Sequence, residues 1–289
     1  VMGGRRQVGS TIKPFLYALA MQNGMTPCTT VQNVQRSYGN WTPRNASKAR
    51  YGQQVPLRWG LQQSNNWISA YLISLLGPSQ FVNILHDFGL NNPDIEKNTS
   101  PVLCLGPSEL SLGEMCSAYT TFINHGVRCA PLFVTRIEDS HGNVVAKFQP
   151  LMNEVISEES SFKMLDMLQA VIQGGTGGRL RYNYNLTGEI GGKTGTTNNN
   201  SDGWFMGFTP QLVNGCWVGG EDRDIHFDST AMGQGATMAL PIWAYFMQMV
   251  YADKSLHYSP KAKFDIPSNF DPCRSTDSIS VNGIQEVYF

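Results

Sequence analysis

Three short clusters in this chain hold hydroxyl, amine and carboxamide side chains at spacings that could serve nucleophilic chemistry. The first is Ser10-Thr11-Ile12-Lys13. On a helix, positions i and i+3 share one face, which puts the lysine nitrogen beside the serine hydroxyl. A lysine takes up that hydroxyl proton only if its own pKa is lowered, and apolar surroundings lower it because desolvation disfavours the ammonium form. The S-x-x-K spacing arises about once by chance in a chain of this length, and Ser160-Ser161-Phe162-Lys163 is a second copy. That copy follows Glu158-Glu159 and is expected on an ordinary surface helix. Lys13 instead stands in a nearly continuous apolar segment, where an unpaired lysine without a role is costly.

The second cluster, Ser64-Asn65-Asn66, combines a hydroxyl that can relay a proton with a carboxamide that can bind a peptide carbonyl. The alternative is plain helix capping, since Ser and Asn are preferred N-caps and Trp67 begins an apolar run. Ser280-Val281-Asn282 repeats the pattern downstream, in what reads as a tail. The third cluster, Lys193-Thr194-Gly195-Thr196, follows Gly191-Gly192. Glycines on a strand let another backbone lie alongside, so an extended peptide can add to the sheet there while Lys193 and the threonine hydroxyls hold its carboxylate. The alternative is a glycine-rich turn with an exposed lysine.

Elements to position these clusters are legible around them. Residues Ser10 to Gln22 read as a helix with Pro14 in the first turn and Gly24 just past the end. Its apolar residues surround the axis, as in a helix buried on most sides. Residues 25–55, rich in Asn, Gln, Thr, Ser and Arg, read as an extended surface loop. Pro56 opens a helical region that runs to Leu76 and breaks at Ser64-Asn65-Asn66. Short helices follow between Ser79 and Asn124, then a hairpin around His141-Gly142-Asn143, then a helix from Glu158 to Gln173. Gly188 to Val218 holds two or three strands, and Met238 to Ala252 a buried helix with Pro241 in its first turn. A helix cluster, then strands, then a last helix predicts an α+β domain with one sheet. After Ser259 the chain turns Pro/Ser/Asp-rich and reads as a tail, within which Ile279 to Phe289 alternates loosely like a strand.

Composition narrows the options further. The formal net charge of −1 gives no footprint for nucleic acid. Hydrophobic residues make up 41% and charged residues 15%, enough apolar material for a core. The six cysteines show no CxxC pair and no Cys/His spacing suited to zinc, so no metal is expected. Whether they pair as disulfides stays open. No run of 18 apolar residues occurs, so the chain as given is expected to be soluble.

The order and contexts of the three clusters match a pattern shared by serine β-lactamases and penicillin-binding proteins. The flanks RRQVGSTIKPFLYAL, GGTGGR (174–179), GEIGGKTGTTNNNSDGWFMGFTP (188–210) and GQGATMALPIW (233–243) resemble class A, bifunctional penicillin-binding proteins over roughly residues 1–255. The resemblance implies a penicillin-binding protein/β-lactamase-like transpeptidase fold, a central antiparallel sheet with a helical cluster, lacking its N-terminal strands. It divides the chain into a truncated transpeptidase domain over 1–258 and a tail over 259–289. It implies that Ser10 is the nucleophile, Lys13 the base with its pKa lowered in part by Lys193, and Ser64 the proton relay to the leaving D-alanine. Asn66 would fix the substrate amide; Thr194, Gly195 and Thr196 would bind substrate; and the N–H groups of Ser10 and Thr196 would form the oxyanion hole. The implied partners are peptidoglycan stem peptides, a D-Ala-D-Ala donor and an amine acceptor, and β-lactam antibiotics, with no cofactor. The expected location is the outer face of the bacterial inner membrane or the periplasm. The anchor and a glycosyltransferase domain would lie upstream of Val1. A serine β-lactamase shares the three clusters but commonly uses a glutamate in an E-x-x-L-N context, and no such stretch occurs here. A β-lactam sensor shares them too, but sensors lack the GGTGGR and GQGATMALPIW contexts.

Overall fold

The computed structural model describes residues 2–97 and 99–274. Near its start, β1 (Arg5–Gln7) pairs antiparallel with β2 (Glu109–Ser111). The chain then tightens into a 3₁₀ turn, Gly9–Ile12, that runs directly into α1 (Lys13–Gln22). Pro14 is tolerated there because first-turn N–H groups have no helical partner. Every residue of α1 from Lys13 to Met21 is buried, as expected for a helix apolar on all sides. Phe15 meets Phe88, Tyr119 and Phe122 with ring centroids 4.7, 5.5 and 5.9 Å away. Burial of one such side chain stabilises by ~1.5–3 kcal/mol. The helix stops where Gly24 takes φ +81°, with Gly24 N–H bonded to Met21 O and Met25 N–H to Ala20 O. These are the paired bonds of a glycine-terminated helix.

Two short helices, α2 (Leu57–Gln62) and α3 (Asn66–Leu76), flank the expected break at Ser64-Asn65-Asn66. Further along lie α4 (Leu112–Ile123) and α5 (Glu158–Gly174). The central sheet holds β3 (Gly191–Thr196), β4 (Asp202–Phe208) and β5 (Val213–Gly219) in the order β5-β4-β3, all antiparallel. Strand β4 is buried throughout. Gly203, Phe205 and Gly207 face α6 (Gly235–Ala252), where Phe205 meets Trp243 at 5.3 Å. By strand alternation Trp204, Met206 and Phe208 face the other way. The mixed helix-and-strand arrangement is the α+β architecture read from the sequence, but where one sheet was expected the described residues form one three-stranded antiparallel sheet and four two-stranded ones.

Three further expectations change. Helix α6 begins at Gly235, not near Met238, so Pro241 lies inside the helix, where it removes one backbone hydrogen bond. The earlier start is held by Gly235 N–H, which donates to Thr196 Oγ1 at 3.0 Å. Helix α5 is a core helix: Ser160, Ser161 and Lys163 are all buried, and Lys163 pairs with Glu159 at 2.6 Å. Its S-x-x-K match is thus a structural ion pair on a packed helix and not the surface feature expected. Third, residues 259–274 pack on the domain. Phe264 is buried against Phe208 at 5.9 Å, Phe270 lies 5.4 Å from Phe162, and Cys273 is disulfide-bonded to Cys28. Cys104, Cys116, Cys129 and Cys216 are free thiols. The Ile279–Phe289 alternation lies outside the described residues.

A methyl group at Gly235 would collide with the backbone carbonyls of Gly195 and Trp204, neither of which can retreat without breaking the sheet. Gly235→Ala is therefore expected to destabilise the fold by ~1–3 kcal/mol. Urea unfolding checks this as a lower midpoint with an unchanged slope.

Candidate active site

The turn that carries Ser10 is set by backbone contact on two sides. Gly9 has φ +54°, and a Cβ there would lie 2.8 Å from Thr196 O. On the other side Gly9 N–H donates to Gly106 O at 3.0 Å, and Gly106 is pressed against Gly9 with no room for a side chain. Gly195 fits the same constraint, since a Cβ there would lie 2.8 Å from Val8 O and 2.9 Å from Thr11 Cγ2. The sequence suggested that this glycine makes room for a substrate strand. In the fold it makes room for the chain's own serine turn, which joins Ser10 to β3. Ser10 itself is half-buried.

One turn after Ser10, Lys13 is fully buried. Its Nζ donates to Ser64 O at 2.7 Å, to Ser64 Oγ at 3.3 Å and to Asn66 Oδ1 at 2.6 Å. Burial lowers the Lys13 pKa from 10.5 to about 7, with Cys104 opposing the shift. Desolvation thus outweighs these polar contacts.

The Ser64-Asn65-Asn66 turn performs capping and presents chemistry at once. Ser64 takes the left-handed conformation, φ +54°, just past the end of α2. Ser64 N–H bonds to Leu61 O and Asn65 N–H to Gly60 O, the bond pair that ordinarily ends on glycine. A serine in that conformation stores strain of a kind that clusters at functional sites. Asn65 is the N-cap of α3: its side chain accepts from Ile68 N–H at 3.0 Å. With capping assigned to Asn65, Ser64 and Asn66 are left to meet Lys13. Asn66 is engaged at both ends, because its Nδ2 also donates to Arg44 O at 2.6 Å.

From β3, Lys193 is fully buried and donates to Thr194 O at 3.1 Å. Its pKa lies well below the ordinary lysine value, first through burial and then through repulsion from Lys13. The resemblance implied that Lys193 helps to lower Lys13; instead burial alone lowers Lys13, and Lys13 adds to the effect of burial at Lys193. The exposed lysine of a simple turn is excluded. Thr194 Oγ1 shares a hydrogen with Thr176 Oγ1 at 2.7 Å, so the GGTGGR stretch reaches the site. Thr196 Oγ1 accepts from Gly235 and keeps its own hydrogen free to donate.

Ser10, Asn66 and Thr196 open on one cleft of about 370 Å³. Its other wall includes Trp41 and Arg44, which the sequence did not single out. They lie in the polar 25–55 loop, and the sole signal was a tryptophan amid Asn, Ser and Thr. That loop is anchored rather than loose: Trp67 Nε1 donates to Pro43 O, and Asn66 N–H to Asn45 Oδ1. Among the described residues no group of His, Cys, Asp or Glu is arranged to hold a metal, and no single helix is long and apolar enough to cross a membrane.

A half-buried serine one turn before a fully buried lysine, with a Ser-x-Asn turn on that lysine and a K-T-G edge strand alongside, is an arrangement suited to acyl-serine chemistry on an α+β scaffold. The family model of the penicillin-binding protein transpeptidase domain matches residues 2–219, and the chain belongs to that family. Within it the resemblance runs to class A proteins. Penicillin-binding protein 1A of Aquifex aeolicus (strain VF5) is 33% identical over 268 residues, covering 91% of this chain and 35% of that protein. Penicillin-binding protein 1A of Neisseria meningitidis (serogroup B, strain MC58) is 32% identical, with 86% and 32% covered. The crystal structure of penicillin-binding protein 1A from Haemophilus influenzae superposes with a TM-score of 0.80 at 28% identity, covering 92% of this chain and 44% of that one. PonA1 of Mycobacterium tuberculosis, solved in complex with penicillin V, shares the fold at 20% identity and a TM-score of 0.77. The chain spans about a third of the length of the curated relatives it matches.

The low Lys13 pKa ties stability to pH. Between about pH 7 and pH 10.5 the unfolded chain keeps a proton on Lys13 that the folded chain has released, so stability rises with pH across that window. Lys13→Met should be more stable than wild type near pH 7 and show a smaller rise. Urea unfolding near pH 7 and near pH 10 checks both, the residual rise belonging to Lys193, which is shifted in the same direction.

Proposed function

We propose that this chain is the D,D-transpeptidase portion of a class A peptidoglycan synthase and acts through an acyl-serine intermediate. The observation that carries the reading is Lys13: fully buried, titrating at about 7, one turn after Ser10 and bonded to both Ser64 and Asn66. A lysine tuned to neutrality beside a serine is a general base poised for use near pH 7. Neutral Lys13 takes the Ser10 Oγ proton as the oxygen bonds to the carbonyl carbon between the two D-alanines of a stem peptide. The N–H groups of Ser10 and Thr196 carry the resulting oxyanion. The carbon–nitrogen bond then breaks, the proton passes from Lys13 through Ser64 to the leaving D-alanine nitrogen, and the acyl-enzyme remains. An amine from a neighbouring stem peptide attacks the ester, gives up its proton and restores the Ser10 hydroxyl. Thr194, Gly195 and Thr196 bind the substrate strand and its carboxylate, with the free Thr196 hydrogen available as a donor.

Asn66 holds the substrate amide in this scheme, and both ends of its side chain are already occupied by Lys13 and Arg44 O. Nδ2 keeps a second hydrogen beside the Arg44 bond, and that hydrogen is the donor for the substrate amide carbonyl. Lys193, next to Thr194, is itself held away from the charged form by burial and by Lys13. A β-lactam follows the same first step: its ring amide opens on Ser10 and the adduct persists. The whole protein is proposed to be anchored at the outer face of the bacterial inner membrane, in the periplasm, and to carry a glycosyltransferase as well.

Labelling with a fluorescent penicillin tests the assignment. Ser10→Ala should not label, and labelling that survives the substitution overturns it. Lys13→Met should label ~10²–10⁴-fold more slowly. The wild-type acylation rate should climb with pH through about 7 as Lys13 loses its proton. Rapid turnover of the penicillin, instead of a long-lived adduct, would point to a β-lactamase.

A further inference from the structure

Asp202, at the start of β4, is fully buried and is approached by four side chains. Its Oδ1 accepts from Arg6 Nε and from Trp217 Nε1, each at 3.0 Å. Its Oδ2 accepts from Thr197 Oγ1 at 3.0 Å and lies 3.3 Å from Arg223 Nη1. The Thr197 side is reinforced, because Asp202 N–H donates back to Thr197 Oγ1 at 3.0 Å and Thr197 N–H donates to Asp202 O at 3.1 Å. The Arg6 side is reinforced as well: its guanidinium stacks 4.8 Å over the Trp217 ring and also donates to Glu221 O at 3.0 Å.

What these partners have in common is their place in the chain. Arg6 is four residues before Ser10, and Thr197 immediately follows Thr196. The two segments belong to different sheets, since β1 pairs with β2 whereas β3 pairs with β4. No ladder of main-chain hydrogen bonds therefore sets the distance between them. Backbone packing at Gly9 and Gly195 brings them together, and side chains of β4 tie them there: Trp204 Nε1 donates to Gln7 O at 2.8 Å, and Asp202 holds Arg6 and Thr197 on one carboxylate.

We infer that Asp202 is a positioning residue that sets the separation of the Ser10 and Thr196 N–H groups. The inference rests on their assignment above to the oxyanion hole. An oxyanion hole is effective only when its donors are held at hydrogen-bond distance from where charge develops. A buried carboxylate with a fork of fixed donors is stiffer than a surface pair and suits that task. A carboxylate that merely stapled the fold would lower stability and leave the acylation step of the folded fraction alone. A positioning carboxylate slows that step in molecules that are folded and still bind.

The experiment is pre-steady-state acylation of the 289-residue chain by a fluorescent penicillin, resolved into non-covalent affinity and acylation rate, with melting temperatures alongside. Asp202→Asn keeps the shape and removes the charge. It should slow acylation at least about ten-fold, with affinity within about three-fold. Thr197→Val removes one donor without disturbing either arginine and should slow the same step several-fold. Arg223→Gln leaves Arg6 and Thr197 in place and should acylate within about two-fold of wild type. An acylation rate in Asp202→Asn within two-fold of wild type overturns the role, as does an Arg223→Gln defect equal to that of Asp202→Asn. If Asp202→Asn does not fold, Thr197→Val decides: an unchanged rate there overturns the role. Ser10→Ala in the same series keeps the two claims apart. If it fails to label while Asp202→Asn acylates normally, only the positioning role falls; if it labels, the nucleophile assignment falls.

Discussion

Burial of a lysine inside an apolar helix is the constraint on which the rest of this structure depends. Among the described residues Lys13 has no carboxylate partner; its contacts are a carbonyl, a hydroxyl and an amide oxygen. Those acceptors help a charged lysine but do not replace bulk water, so the ammonium form is disfavoured and the pKa falls to about 7. Helix α1 has to be hydrophobic on all sides to achieve this, and the aromatic cluster around Phe15 is part of that enclosure. Packing and chemistry are then one requirement, because loosening the core around α1 readmits water and restores the ordinary lysine pKa.

The second requirement is close approach of backbones. Gly9, Gly106, Gly195 and Gly235 all lie where a Cβ would meet another segment's carbonyl oxygen. They draw the serine turn, β3 and the start of α6 together until Ser10 and Thr196 share one cleft. Polar side chains complete the arrangement: Thr196 holds the first N–H of α6, Asn65 caps α3, and Asp202 bridges the segments before Ser10 and after Thr196. Each of these residues serves the fold and the site together.

Sequence reasoning treated capping and catalysis at Ser64-Asn65-Asn66 as rivals, and in the structure Asn65 caps α3 while its neighbours Ser64 and Asn66 bond Lys13. A single local pattern cannot reveal such a division, since it depends on which side chain faces α1. The same limit explains the second S-x-x-K copy. Ser160 and Lys163 satisfy the spacing, but Glu159 pairs with that lysine and neither residue lines the cleft that Ser10 opens on. At Gly195 the close approach that the structure shows is that of the chain's own serine turn, which a strand pattern alone does not reveal.

By itself the sequence determined the helices around Ser10 and Trp67, the strands near Gly191 and Asp202, and the identity and order of the three clusters. These are legible because dihedral preferences, hydrophobic period and caps act over a few neighbouring residues. Tertiary structure alone decided that Lys13 loses its solvent, that Ser64 and Asn66 reach its nitrogen, and that Trp41 and Arg44 wall the cleft. It also decided that Asp202 joins Arg6 to Thr197. Desolvation and convergence depend on residues far apart in the chain, and no local period or spacing records which of them will meet.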